Sequence, residues 1–134
     1  MNPINHQLEV KFISKTKGKG VFAKKDIPEG QIIDKAQIVL ISNDDWVLIE
    51  DTVLSGYTFE WDDPKLKGAY DSVISLSISQ FINHSYTPNV KYSYNYNDEV
   101  IKYITIQDIS KGEEITVNYN GDPSDKSPVG FKVE

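Results

Sequence analysis

Short runs in which apolar and polar residues strictly alternate, broken by turn residues, constrain this chain most. Val90, Tyr92, Tyr94 and Tyr96 alternate with Lys91, Ser93 and Asn95, and after Asn97-Asp98 the chain resumes from Val100 to Ile106. Leu8, Val10 and Phe12 alternate with Glu9 and Lys11, Tyr57, Phe59 and Trp61 with Thr58 and Glu60, and Ile74, Leu76 and Ile78 with serines. Successive side chains of a strand point to opposite faces, so this period in β-branched and aromatic residues marks strands with one buried face. The runs either side of Asn97-Asp98 read as a hairpin. Helical periodicity is confined to Asp44–Asp51, with Asn43 or Asp44 as the cap, and to one turn before Asn83. Two turns of near-identical chemistry, Ile27-Pro28-Glu29-Gly30 and Ser110-Lys111-Gly112-Glu113, separate strands. The stretch from Gly121 to Gly130, with two prolines and two glycines, reads as irregular. The expectation is a mainly β domain of several small sheets with few short helices.

Composition narrows the function classes. A length of 134 residues suits a single domain. Cysteine is absent, which rules out disulfides and thiolate metal sites. The net charge of −6 argues against direct nucleic-acid binding, which rests on Lys and Arg neutralising phosphates, and is compatible with a basic polypeptide partner. No apolar run approaches the roughly 20 residues of a membrane helix, and Met1 to Glu9 lacks the zones of a signal peptide. An intracellular protein is expected, cytoplasmic or, in a eukaryote, nuclear.

Three segments could carry chemistry. In Lys17-Gly18-Lys19-Gly20-Val21-Phe22-Ala23, two glycines two apart allow a tight turn or a close backbone approach to a ligand. Neither a dinucleotide fingerprint nor a phosphate loop is present, since there is no third glycine and no Gly-Lys-Ser/Thr. In Phe81-Ile82-Asn83-His84-Ser85-Tyr86-Thr87-Pro88-Asn89, adjacent His84 and Ser85 point to opposite sides of an extended chain, which disfavours a hydrolytic pair. A metal site is disfavoured too, because the other histidine is His6 near the terminus. What remains is an amide side chain and backbone donors and acceptors beside an apolar Phe81-Ile82 wall, suited to a polar small molecule. In Gly112-Glu113-Glu114-Ile115-Thr116-Val117-Asn118-Tyr119, Ile115, Val117 and Tyr119 share one strand face, and Glu113 and Glu114 read most simply as solvated turn charges. A buried Tyr119 phenol would need a hydrogen-bond partner.

Together and in this order, Gly18 to Ala23, Asn83-His84-Ser85 with Pro88-Asn89, and Gly112 to Tyr119 resemble the SET-domain lysine methyltransferases. The resemblance runs from about Leu8 to Tyr119. It implies a SET-like β-clip with a pseudoknot-like C-terminal crossing, residues 1–134 forming one domain with a core of about 8–119. It also implies S-adenosylmethionine as cofactor, held by Gly18, Lys19, Gly20, Asn83, His84 and Tyr119. Tyr119 would be the catalytic tyrosine, and Tyr57, Tyr92 and Tyr119 would line the channel for the substrate lysine. No metal is implied.

The chemistry suits these residue types. A lysine with pKa near 10.4 is neutral in only roughly one molecule in a few thousand at pH 7, and only the neutral amine attacks a methyl group. An aromatic channel disfavours the ammonium by desolvation. The chain departs from the family pattern at Tyr86, where a cysteine is frequent, at Gln80, where an arginine is common, and at Asn118, where an acidic residue is frequent. It also lacks the flanking zinc-binding cysteines. Residues 120–134 would then close the lysine channel without zinc, Phe131 being a candidate, or a second subunit would complete the site as a homodimer. Val117 and Tyr92 point towards mono- or dimethylation. The substrate would be a histone or another basic protein. The alternative is a non-catalytic SET-like module that binds a peptide or the cofactor.

Overall fold

The computed structural model describes residues 6–131 and residue 133. The elements in order are β1 (Leu8–Ser14), β2 (Gly18–Ala23), β3 (Ile32–Ile41), α1 (Asn43–Ile49), β4 (Thr58–Glu60), β5 (Ser72–Ser75), β6 (Asn83–His84), β7 (Val90–Asn95), β8 (Val100–Thr105) and β9 (Glu114–Val117). Two single-turn 3-10 helices, Val53–Tyr57 and Ile78–Phe81, precede β4 and β6. One sheet has the order β1-β2-β9-β6 and the other β4-β5-β3-β8-β7. The mainly β architecture of small sheets is as the alternation requires.

Both sheets feed one core. Val21 and Ile115 come from the first, Val73, Val90, Ile101 and Tyr103 from the second, and Trp61 fills the space beside them; all are essentially shielded from solvent. Full burial of such side chains contributes roughly 1.5–3 kcal/mol each. Trp61 packs edge-on against Tyr96 at 4.9 Å and tilted against Tyr94 at 5.5 Å, so the aromatic face of β7 rests on the core.

The two turns of similar chemistry pack on each other. Ile27 and Ile109 exchange backbone hydrogen bonds, each of 2.8 Å. The Asp108 carboxylate accepts from the Glu29 N–H at 2.9 Å and the Asp26 carboxylate from the Lys111 N–H at 2.8 Å. Gly30 and Gly112 end the turns at φ 84° and 91°, where a side chain would be strained. One turn carries the chain from β2 to β3 and the other from β8 to β9, so each passes it from one sheet to the other.

Several local expectations need correction. The Tyr57–Trp61 strand is only Thr58–Glu60, with Tyr57 closing a 3-10 turn. The strand through Ile74 ends at Ser75, because the Gln80 side chain takes the Ser75 N–H at 3.2 Å and Ile78 opens the next 3-10 helix. Helix α1 is capped by Ser42, whose hydroxyl accepts from the Asp45 N–H at 3.1 Å, and not by Asn43 or Asp44. Strand β9 stops at Val117, so Tyr119 follows the strand in a turn and does not continue its face. The longest strand, β3, has no clean alternation because it lies in mid-sheet, paired to β5 and β8.

Candidate functional site

The site is built on one parallel pairing. Strand β6 lies beside β9 with Asn83 opposite Thr116 and His84 opposite Val117, the one parallel register among the described strands. Asn89 pins this arrangement: its amide donates to the Glu114 carbonyl at 2.9 Å and accepts from the Thr116 N–H at 2.9 Å. A buried asparagine thus stands in for a strand partner, satisfying β9 where no backbone reaches it. Thirty residues of sequence separation vanish, and Tyr119 arrives next to His84.

On one side of the pairing, glycines and amides form a tight cradle. Gly18, at φ 70°, ends the β1–β2 turn. Gly20 sits where any Cβ would fall 2.6 Å from Ile13 Cδ1, 2.8 Å from Glu114 Oε2 and 3.0 Å from Asn83 Nδ2. Asn83 Nδ2 donates to the Lys19 carbonyl at 3.1 Å and to Glu114 Oε2 at 2.8 Å. Both amide hydrogens are engaged, which fixes the flip of the side chain and leaves Oδ1 as the open acceptor. Lys17 Nζ lies 3.5 Å from Glu114 Oε1. Glu114 is therefore no solvated turn charge but the hub of this cradle, a role that sequence reading missed.

On the other side, Tyr119 links the two halves. Its N–H donates to His84 Nδ1 at 2.9 Å and its hydroxyl to the Ile82 carbonyl at 2.7 Å. Tyr92 donates to the Tyr119 carbonyl at 3.3 Å. Because Nδ1 accepts, the neutral His84 carries its proton on Nε2, and that buried atom has no hydrogen-bond partner. Burial holds the His84 pKa below its ordinary value of 6.5.

Tyr119 also borders a cavity of about 660 Å³ whose walls include Tyr92, Tyr94, Tyr96, Tyr103 and Ile82. Burial pushes the Tyr119 phenol up to about 12, and Tyr92, Tyr94 and Tyr103 are raised for the same leading reason. All stay neutral at physiological pH. Of the expected channel residues, Tyr92 and Tyr119 meet here. Tyr57 packs edge-on to Phe81 at 6.4 Å, and its neighbours Gly56 and Thr58 reach the cavity wall. Gly18, Lys19, Gly20, Asn83 and His84 lie on the cradle side, away from that wall. Among the described residues no group of acidic residues and histidines could hold a metal ion.

The family model for the SET domain matches residues 18–120. The chain belongs to the SET-domain family. It is 28% identical over 117 residues, 87% of this chain and 75% of the relative, to a histone-lysine N-methyltransferase of Schizosaccharomyces pombe specific for lysine 37 of histone H3. A crystal structure of a candidate histone methyltransferase from Plasmodium falciparum matches with TM-score 0.64 at 24% identity, over 87% of this chain and 95% of that one, which is a likeness of fold. Polycomb Repressive Complex 2 of Chaetomium thermophilum, in an autoinhibited conformation bound to S-adenosylmethionine, matches with TM-score 0.63 at 31% identity. That match spans 84% of this chain and 14% of the other.

The positions where this SET domain departs from the family pattern all have structural work. Asn118, fully buried, donates to the Asp125 carbonyl at 2.6 Å and accepts from the Asn120 N–H at 3.0 Å. An ionised acid there could accept but not donate, and the Asp125 carbonyl would lose its donor. Tyr86 donates to the Ser127 carbonyl at 3.0 Å, and Lys126 returns a bond to the Tyr86 carbonyl at 2.9 Å. Both residues fasten the segment after Tyr119. Gln80 Nε2 donates to the Tyr57 carbonyl, tying Tyr57 to the turn before Asn83, at 2.6 Å. Phe131 meets the His84 ring at 6.2 Å and the Tyr119 ring at 6.0 Å, edge-on in both cases. The C-terminal segment is thus fastened across the site by amides and aromatics.

Proposed function

We propose that this SET domain is an S-adenosylmethionine-dependent protein-lysine N-methyltransferase. The observation that carries the reading is the β6–β9 pairing, which sets the glycine–amide cradle on one side of Tyr119 and the tyrosine-walled cavity on the other. The cradle fits the cofactor's amino-acid end. Asn83 Oδ1 is an open acceptor for an ammonium, and Gly20, packed too closely against Ile13, Glu114 and Asn83 to carry a Cβ, keeps the backbone of Gly18 and Lys19 close beside it. The unpartnered His84 Nε2 and the edge-on Phe131 suit a heteroaromatic ring, here the adenine. When bound, S-adenosylmethionine supplies a methyl group on a positively charged sulfur.

The rest is the work of this chain's own residues. The substrate lysine enters the cavity along Tyr92, with Tyr57 at its flank, and its amine approaches Tyr119. Aromatic walls strip water from the ammonium and lower its pKa, so the proton leaves to solvent before reaction. No side chain need act as a strong base. The Tyr119 and Tyr92 hydroxyls and the Ile82 carbonyl hold and orient the neutral amine, which is the larger part of what a protein contributes to such a transfer. Residues 120–131, with Phe131, close the site without zinc. The Schizosaccharomyces pombe relative acts on a histone, and a basic, lysine-bearing protein is the substrate class here as well. A soluble, intracellular setting goes with that class; no helix among the described residues is long and apolar enough to cross a membrane.

The test is incubation with methyl-labelled S-adenosylmethionine and core histones or a basic protein mixture, with calorimetry of cofactor binding alongside. Label on lysine is the expected result. Micromolar cofactor binding without label on any substrate would favour the non-catalytic module, and absence of binding would refute the cofactor assignment.

A further inference from the structure

The cavity that ends on Tyr119 is larger than one lysine side chain needs, and its chemistry changes along its length. Near Tyr119 the lining is neutral. Further out it includes the carboxylates of Glu60 and Asp62, and no lysine or arginine lines it among the described residues. Glu60 closes β4 and makes no ion pair among the described residues. It lines the cavity together with Tyr92, Tyr94 and Tyr96. Asp62 has Lys67 as neighbour at 3.9 Å, but both side chains are largely exposed, at 80% and 74%, so that pair is easily exchanged for another cation.

A second feature asks independently for a ligand. The hydroxyls of Ser79 and Tyr103 border the same cavity, belong to residues only 2% and 1% exposed, and have no hydrogen-bond partner. They lie near each other without reaching hydrogen-bonding geometry. Buried polar groups are nearly always satisfied, so these two unpaired hydroxyls are an unmet hydrogen-bonding demand just behind the cavity wall. The rings of Tyr94 and Tyr96, 6.0 Å apart, line the same cavity.

We infer that Glu60 and Asp62, with the faces of Tyr94 and Tyr96, form a subsite for an arginine that flanks the methylated lysine in the same substrate chain. A guanidinium matches each part: two carboxylates for charge, aromatic faces for its flat surface, and several N–H donors for acceptors on the wall. An ammonium satisfies only the first of these, so arginine is preferred to lysine. The inference deepens the proposed lysine methylation and rests on it for the identity of the neighbouring residue.

The test uses short peptides with one lysine and, at each neighbouring position in turn, arginine, its neutral isostere citrulline, or lysine. Binding is read by fluorescence anisotropy and methyl transfer by label, with the full chain and with Glu60→Gln. At the best position, arginine should bind about three- to tenfold more tightly than citrulline, and Glu60→Gln should collapse that ratio towards one. Asp62→Asn should lower it less, because Lys67 already screens that carboxylate. Added salt should compress the preference. Equal binding of arginine and citrulline peptides, or a ratio that survives both substitutions, overturns the inference. Circular dichroism and cofactor affinity check that the variants are folded. An arginine preference in binding without transfer would sustain the subsite while refuting the enzyme, and transfer without preference would do the reverse.

Discussion

The two sides of Tyr119 are built on opposite principles. The cradle around Gly20 is finished: Asn83 has both amide hydrogens engaged, Glu114 is shared between Asn83 and Lys17, and Gly20 has no spare volume. The tyrosine-walled cavity is unfinished, with Ser79 and Tyr103 hydroxyls unpaired and carboxylates facing open space. A site for one invariant small molecule gains from being fixed in advance, since no ordering cost falls at binding. A site for polypeptides leaves hydrogen-bonding capacity for the partner to fill. The contrast is one of assembled against awaiting.

The sharpest way to break it is at the junction. Tyr119→Phe should lower turnover by about a hundredfold while changing cofactor affinity less than about threefold, measured by steady-state kinetics and calorimetry. A parallel loss of both would assign Tyr119 to the cradle alone. Next in size, Gly20→Ala forces a methyl group against Glu114 and Asn83, and cofactor affinity should fall about tenfold or more while the thermal midpoint moves little, because the clashing atoms are side-chain ends that can swing away. Unchanged affinity would show that the cradle is less finished than its packing implies. Glu114→Gln keeps the shape but replaces the charge-assisted bond to Asn83 with a neutral one, and about a threefold loss of cofactor affinity is expected, with peptide binding unaltered.

The smallest effect concerns His84. Its pKa in the folded protein is lowered from 6.5, so the folded state resists protonation that the unfolded chain accepts. The stability it contributes is complete above pH 6.5 and declines as pH falls through 6.5 towards the lowered value. Protonation also removes the acceptor for the Tyr119 N–H. Denaturation midpoints should therefore fall between about pH 7 and pH 5.5, more steeply than in His84→Gln. Parallel slopes would exclude His84 as the cause.

Period-two alternation carried β7, β8 and the β7–β8 hairpin, because each buries one face only, and it found β1 although burial on that strand's apolar face runs out at Phe12, which is exposed. It missed β3, whose mid-sheet position erases the pattern, and overextended the runs Tyr57–Trp61 and Ile74–Ile78, where the Gln80 side chain takes the Tyr57 carbonyl and the Ser75 N–H that a ladder would have used. Gly18, Gly20, Asn83, His84 and Tyr119 stood out in the sequence because their motifs follow the family's order, and the β6–β9 pairing brings Asn83, His84 and Tyr119 side by side. Glu114 did not stand out, since a charge beside a turn looks the same in sequence whether it faces water or an amide across the fold. Ser79 and Tyr103 were hidden for a related reason: an unpaired hydroxyl is a property of neighbours, not of the residue.

The reciprocal turns at Ile27 and Ile109 act as a rivet between the two sheets. The cradle hangs on β2, β6 and β9, the cavity on β4, β7 and β8, and two of the four passages between the sheets, β2 to β3 and β8 to β9, run through this one small two-fold knot of backbone bonds and carboxylate caps. The gap across which a methyl group would pass is thus gauged at a point remote from any reacting atom. Loosening the Asp26 or Asp108 cap would let the gap breathe without touching a ligand. The rivet joins segments some eighty positions apart, so its bonds carry the loop-closure cost of a long-range contact and hold both halves of the site to one reference point.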